Sequence, residues 1–558
     1  MSSTSDQFVF QQALEEQDNS ALFQAKRWTH VVDSSSSGGV FNSQLQWDLN
    51  TLASQNSWTD LSQGFIQFPV KVTISGTTKL DDITANAACI KNGFHNFVDS
   101  VQLTLGGSTI QSSQIYTNID TSFKIVTEWS QDELRKYGPS LGIALDDYDV
   151  DNTLNLTVAQ GPPVTVSTGY STPTQFDNIT ATTFAPALHG AVYPPISNTG
   201  FKERVKQLNT SATSGLAYTT CNTLYQNGKS SIQTDATVTT DAFVAFYLAT
   251  IRLKDICDSI AKLPPIKNLK GYLYVNYNAA TISYTSTAST GVVKTNQISK
   301  QAVYGRTMPV MVDRDLVAGA ADSVVTIKAE ISGVKSSTLT SANPPVTNAR
   351  LYVPYYVPSP EIDRTLTQNK SLRFNERFVT TVNIGAGSST NVTITPGISN
   401  PKRLIMLPVL TGDSATAGVA GYLDFPELSP FDIATCGGSS PFAMINQLQV
   451  SVGNQPVFQE PVSFDHHMFL EEVAQIGRDG GLDSETGSGL LSQRLWNQMY
   501  RYYTVDIGRR INGSDGSSKS IQLSCNNPCA NDMRLICIVW YEKEIMVQTD
   551  LGVITQGI

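Results

Sequence analysis

The chain has 558 residues, too many for one compact domain, and its hydrophobic fraction of 40% can fill two or three cores. Only 15% of residues are charged, and the net charge of −10 comes with no cluster of Lys and Arg, which argues against direct binding of nucleic acid through its phosphates. Ser, Thr, Asn and Gln fill the polar remainder. They cost less to bury at a contact than charges do, so much of the surface is suited to meeting other subunits.

An acidic N-terminal arm comes first, residues 1–29, with Asp6, Glu15, Glu16 and Asp18 against Lys26 and Arg27. It lacks the basic, then apolar, then small-residue pattern of a secretory leader. Short runs rich in Val, Ile, Tyr, Phe and Thr then alternate with Gly, Ser, Asn, Asp and Pro: 65–74, 98–105, 242–253, 271–277, 324–331 and 350–356. After the prolines of 357–360 they resume at 378–384, 391–395, 403–409, 448–452, 502–507 and 533–541. Such runs read as half-buried strands, and many of them with turn chemistry between indicate an all-β sandwich architecture. The apolar run 535–541 is far too short to be a transmembrane segment.

Helices are few and short. Ser130–Glu133 forms a capping box for a helix expected to stop at Gly138. Asp465 caps one carrying Met468, Phe469, Val473 and Ile476 and ending at Gly477; others are expected after Asp255 and over 490–499. The polar stretches 161–198 and 209–240 read as long surface loops.

An internal repeat organises these elements. Without gaps, FVDSVQLTLGGSTIQ (97–111) lies on MINQLQVSVGNQPVF (444–458), with Val98 on Ile445, Leu103 on Val450 and Gly106 on Gly453. Each copy is followed by a helix, after Trp129 and at Asp465, and each half ends in a similar strand, 348–353 beside 531–536. Two copies of one sandwich follow: the first over 30–357, a linker over 358–369, the second over 370–550, and a tail over 551–558.

Chemistry is sparse. There is no phosphate-binding Gly-Lys loop, no HExxH, no GxSxG and no CxxC, so no catalytic, cofactor-binding or metal-ligating residue is assigned. His466 and His467 point in different directions on a helix and read as a helix start or a contact. The acids at 146, 147, 149 and 151, like Asp479, Asp483 and Glu485, read as solvated turns, with calcium as the alternative. Seven scattered cysteines do not form a disulfide framework; Cys257 and Cys537 read as small buried hydrophobes, and Cys525 with Cys529 is a poor zinc pair. The six tryptophans look like core, and Tyr500, Tyr502 and Tyr503 with Arg501 read as packing or subunit contact. A carbohydrate-binding or glycoside-processing double sandwich is the alternative function, since paired carboxylates are set by tertiary geometry.

Several segments resemble the double jelly-roll major capsid proteins of the polinton-like virus and virophage group. They are NGFHNFVDSVQLTLGGSTIQSSQ (92–114), EWSQDEL and LGIALDD within 127–147, IRLKDI and KLPPIKNLKGYLYVNYN within 251–278, ARLYVPYYVPSP (349–360), and 446–469. The resemblance implies two tandem jelly-roll β-sandwiches with short inserted helices and a structural, non-enzymatic role. It further implies a homotrimer forming a pseudo-hexameric capsomer, packed with neighbouring capsomers and with penton and minor capsid proteins in the virion of an icosahedral virus, assembled inside the host cell. A penton or spike role in such a particle is the third reading.

Overall fold

A computed structural model describes residues 23–53, 57–76, 86–146, 200, 204, 231–232, 243–287, 292–300, 307, 309–314, 323–335, 344–359, 363, 366–410, 443–479, 489–498, 500–508, 517–529 and 532–556. Eight strands form the frame of the first half: β1 (Phe23–Val32), β2 (Gln44–Asp48), β3 (Phe65–Gly76), β4 (Val98–Leu105), β5 (Ser108–Gln111), β6 (Phe243–Arg252), β7 (Gly271–Tyr277) and β8 (Arg350–Pro358). Eight more build the second: β9 (Asn369–Ile384), β10 (Ser389–Ile398), β11 (Pro401–Leu410), β12 (Asn446–Val452), β13 (Gln455–Pro456), β14 (Tyr503–Asp506), β15 (Lys519–Asn526) and β16 (Met533–Gln548).

Their pairing is the same in both halves. In the first, one sheet runs β1-β8-β3-β6 and the other β2-β7-β4-β5. In the second, the orders are β9-β16-β11-β14 and β10-β15-β12-β13, the first set advanced by eight. Every pair is antiparallel, and this ordering over two facing sheets is the jelly roll. Both halves are jelly rolls.

Alternation drives each sandwich together. Val101, Leu103 and Leu105 of β4 with Leu273 and Val275 of β7 face Ile66, Phe68, Val70 and Val72 of β3 across one core. Leu448, Val450 and Val452 of β12 with Ile521 and Leu523 of β15 meet Leu535, Cys537 and Val539 of β16 across the other. Each such buried side chain contributes roughly 1.5–3 kcal/mol. The hairpins at the heart of the sequence repeat also match: Gly106 and Gly107 adopt φ of 57° and 85°, Gly453 and Asn454 φ of 56° and 66°. Two positive values in succession make the tight turn whose twist suits a two-residue hairpin.

The first roll is widened between β7 and β8. Strand Ser323–Ile331 pairs with β3 over 70–76, the stretch β8 leaves free, and Ala280–Thr287 and Val292–Lys300 extend the sheet from there. In both rolls a helix pair enters between the fifth and sixth strands: α1 (Thr117–Glu128) and α2 (Gln131–Leu141) in the first, α3 (His466–Asp479) and α4 (Gln493–Gln498) in the second; the helix expected after Asp255 is the short Asp258–Lys262, which follows the sixth strand.

Several expectations need correction. Residues 23–29, assigned to the arm, are strand β1, held along β8 by a ladder from Phe23↔Pro358 to Val32↔Arg350. Val553–Gln556 of the expected tail pairs with β16. Strand β9 begins at Asn369 rather than near 377, because its partner β16 is equally long. Helix α2 keeps its capping box but runs through Gly138 to end at Gly142, whose φ of 70° closes it; α3 likewise passes Gly477. The first helix of the insertion, α1, was not expected at all. The loops 161–198 and 209–240 lie outside the described residues except for 231–232.

Candidate functional site

Helix α1 explains how the two rolls are joined. In TNIDTSFKIVTE, Ile119, Phe123 and Val126 fall on one side and enter the second roll's core, while Ile125 packs with Trp129, Leu141 and Ile143 of the first half. A helix apolar on two sides must be covered on both. It lies on the outward side of β9 and β16: Phe123 meets Trp540 and Tyr502 edge-on, with centroids 5.9 and 5.3 Å apart. Leu490 donates from its N–H to the Val126 carbonyl at 2.8 Å, and Gly489 is needed there because a Cβ would come 2.5 Å from the Thr127 oxygen.

Charge is buried in this seam and is paired there. Asp120 accepts from the Trp540 indole N–H at 2.7 Å and lies 3.2 Å from both Arg377 and Lys124. Arg377 also donates to the Thr117 hydroxyl. Burial alone would raise the Asp120 carboxyl; Lys124, Arg377 and the Trp540 N–H more than offset this and hold it below its ordinary value. Lys124 sits 5.2 Å over the Trp540 ring.

A second junction lies further along the β9–β16 ribbon. Phe374, Ile545, Val547 and Ile554 leave their own roll and complete the core of the first. Glu376 takes hydrogen bonds from the Ser112 N–H and hydroxyl at 2.9 and 2.6 Å and from Tyr541 at 2.8 Å, with Lys543 at 3.2 Å. Burial again works against its charge, and these donors outweigh it and lower its pKa. Asp363 ties the connecting segment to the first roll through the Trp58 indole at 2.7 Å and Lys267 at 3.2 Å. The seam therefore fixes two separate sandwiches side by side.

The residues singled out from sequence are not brought together into a reactive centre. His466 packs near Phe469 and Trp496, whereas His467 is exposed beside Glu471. Asp146 is buried against Arg204 at 2.6 Å; 147–151, Asp483 and Glu485 lie outside the described residues. Tyr500, Tyr502 and Tyr503 are buried, Tyr500 accepting from the Asp146 N–H and Tyr503 from the Ile445 N–H. Burial pushes the Cys257 and Cys525 thiols up to about 12 and raises Cys537 as well, which leaves them unreactive. Five tryptophans are core; Trp28 is exposed. Among the described residues no three His, Cys, Asp or Glu converge as metal ligands, and no helix is long and apolar enough to cross a membrane.

The seam charges were missed. The available signal was Glu376-Arg377 inside the strand-like run FNERFV, since a charged pair flanked by apolar residues must find partners when the strand is buried.

No protein-family model matches the chain, and no curated protein is similar to it in sequence. Solved structures align over nearly its whole length at low identity. The Sputnik virophage cryo-EM structure matches at a TM-score of 0.49 and 10% identity, covering 96% of this chain and 89% of that one. The mavirus major capsid protein gives 0.43 at 10% identity, covering 95% and 90%. The Faustovirus major capsid protein gives 0.42 at 9%, covering 94% and 90%.

Proposed function

We infer that the chain is a major capsid protein. One observation carries the reading: two jelly rolls of identical strand order stand side by side in one chain, joined through a seam that buries charge and aromatic rings from both. Three such chains supply six near-equivalent rolls, enough to form a pseudo-hexameric capsomer, and capsomers tile an icosahedral shell. The resemblance in segments 92–114, 251–278 and 349–360 supports this, as does the acidic composition, which leaves genome contacts to other proteins. No catalytic step is assigned, and penton and minor capsid proteins are the expected partners in the virion. The first roll ends with β8 and the second starts with β9, residues between them acting as linker. The carbohydrate alternative loses ground because five of six tryptophans are buried instead of lining a groove.

Native mass spectrometry and electron microscopy of the full chain test the reading. Trimers and hexagonal particles are expected; a monomer at every concentration and salt condition overturns it.

A further inference from the structure

Helix α2 lies on the first roll with little to hold it. Of its 11 residues only Gly138 and Leu141 are buried. Leu141 joins Ile125, Trp129, Ile143 and Leu490 in a small apolar cluster apart from the two main cores. The other attachment is Arg252 of β6, whose guanidinium lies over the rings of Trp129 and Tyr137, 4.8 and 4.7 Å from their centroids. Tyr137 is itself 46% exposed. A helix with so few buried contacts belongs to the low-stability end of a fold.

His95 lies beneath it. Leu141 and Ile143 close a cavity of about 10 Å³, room for one water, against His95, Thr121, Arg252 and Asp255. The ring Nε2 is 2.8 Å from the Ser122 hydroxyl of α1. A Cβ at Gly93 would come 2.4 Å from the ring Nδ1 and 2.9 Å from Ile143, so the ring and the end of α2 are packed tightly together. Arg252 donates to both Asp255 oxygens, at 2.7 and 2.9 Å. Lys254, Glu133 of α2 and Glu128 of α1 act on Asp255 from further off. With the cavity's carboxylate engaged by Arg252, burial dominates at His95 and lowers its pKa to about 3.

We propose that α2, together with Ile143, is an acid-released lid that closes over the neutral His95 ring and is held open by a proton on the exposed ring. A solvated imidazole takes up a proton near pH 6.5, and the enclosed one does not. Each pH unit below 6.5 therefore favours the open form about tenfold. Lifting α2 also uncovers Ile125 of α1 and Leu490 of the second roll, so acid reaches the joint between the rolls by way of the lid. The inference goes beyond the capsid reading and does not depend on it.

Backbone hydrogen exchange of the full chain from pH 7.5 to 4.5, read by mass spectrometry and corrected for the intrinsic pH dependence of exchange, tests the lid. Protection over 131–143 is expected to be constant above pH 6.5 and to fall below it, by roughly a hundredfold at pH 4.5, while 535–540 of β16 stays protected. His95→Gln should remove this pH dependence. Tyr137→Ala, at an exposed position, should lower protection at every pH and keep the same break near pH 6.5, which decides the matter should the His95 variant not fold. A wild-type or Tyr137→Ala profile without that break overturns the inference. So does an equal slope in His95→Gln, or protection over 131–143 that is lost only together with that over 535–540.

Discussion

The same sheet face has opposite fates in the two rolls. On the second roll, Trp540 is 5% exposed and both sides of β16 are buried over 535–540, with α1 covering the outward side at Trp540. On the first, Trp28 of β1 stands half in solvent, tilted against the Phe65 ring and with Lys26 over its own. Strand order therefore does not decide whether a sheet face is core or surface; what decides it is whether another roll's helix arrives. Buried charge follows the same division. Asp120 and Arg377 are enclosed and depend on each other, while Lys26 and Glu471 are solvated and independent within one chain.

That contrast breaks most visibly at the ion pair. Asp120→Ala leaves Arg377 charged and enclosed, and is expected to cost about 3–5 kcal/mol in denaturant unfolding. Glu471→Ala, its exposed relative one turn along α3, is expected to stay within about 0.5 kcal/mol in the dissociated chain. Because the folded Asp120 pKa lies below the ordinary 3.8, its contribution is complete above that pH and is lost as pH falls through the folded value. The wild type should approach the variant in strong acid. Equal costs for the two alanine variants would show that the seam carries no special load.

Histidines extend the contrast to milder acid. His95 of the first roll is buried, its ring 2.8 Å from the Ser122 hydroxyl, and burial lowers its pKa to about 3 from 6.5. The neutral ring is what folds, so stability is complete above pH 6.5 and falls below it as the unfolded chain gains the proton. The slope is about 1.4 kcal/mol per pH unit between those values. His95→Gln should flatten that slope in unfolding measured from pH 7 to pH 4. His466 of the second roll, only partly buried, has its pKa lowered by the same cause.

The duplication was legible because the hairpins repeat with their glycines: 97–111 and 444–458 align without a gap, and alternation marks the inward face of both. The last strands were matched correctly as strands but in the wrong register. Setting 348–353 on 531–536 puts Leu351 beside Arg534, whereas Leu351 and Leu535 are the residues that enter the cores of their respective rolls. A shift of one residue exchanges core for surface on a strand, and local similarity alone cannot fix it. Helix α1 was overlooked because Thr117, Thr121, Ile125, Val126 and Thr127 are β-branched and weak helix formers; packing between two rolls overrides that preference. The seam charges were hidden for a related reason, since Asp120 and Arg377 are far apart in the chain and meet only once both sandwiches exist.

The smallest expected effect compares how the inserted helices begin. Helix α1 starts at Tyr116 with φ of 58° and no side-chain cap, its first turn held by the seam through Thr117 and Asp120. Helix α3 is capped by Asp465, whose carboxylate accepts from the Met468 N–H at 2.9 Å. Helix α2, also at the surface, uses Ser130 with Glu133 in a reciprocal box. Asp465→Ala and Ser130→Ala should each cost about 1 kcal/mol, read from the shift in unfolding midpoint at constant m-value. Hydrogen exchange at the first-turn amides measures this directly: faster exchange confined to the substituted helix sharpens the comparison, and equal loosening of all three helices breaks it.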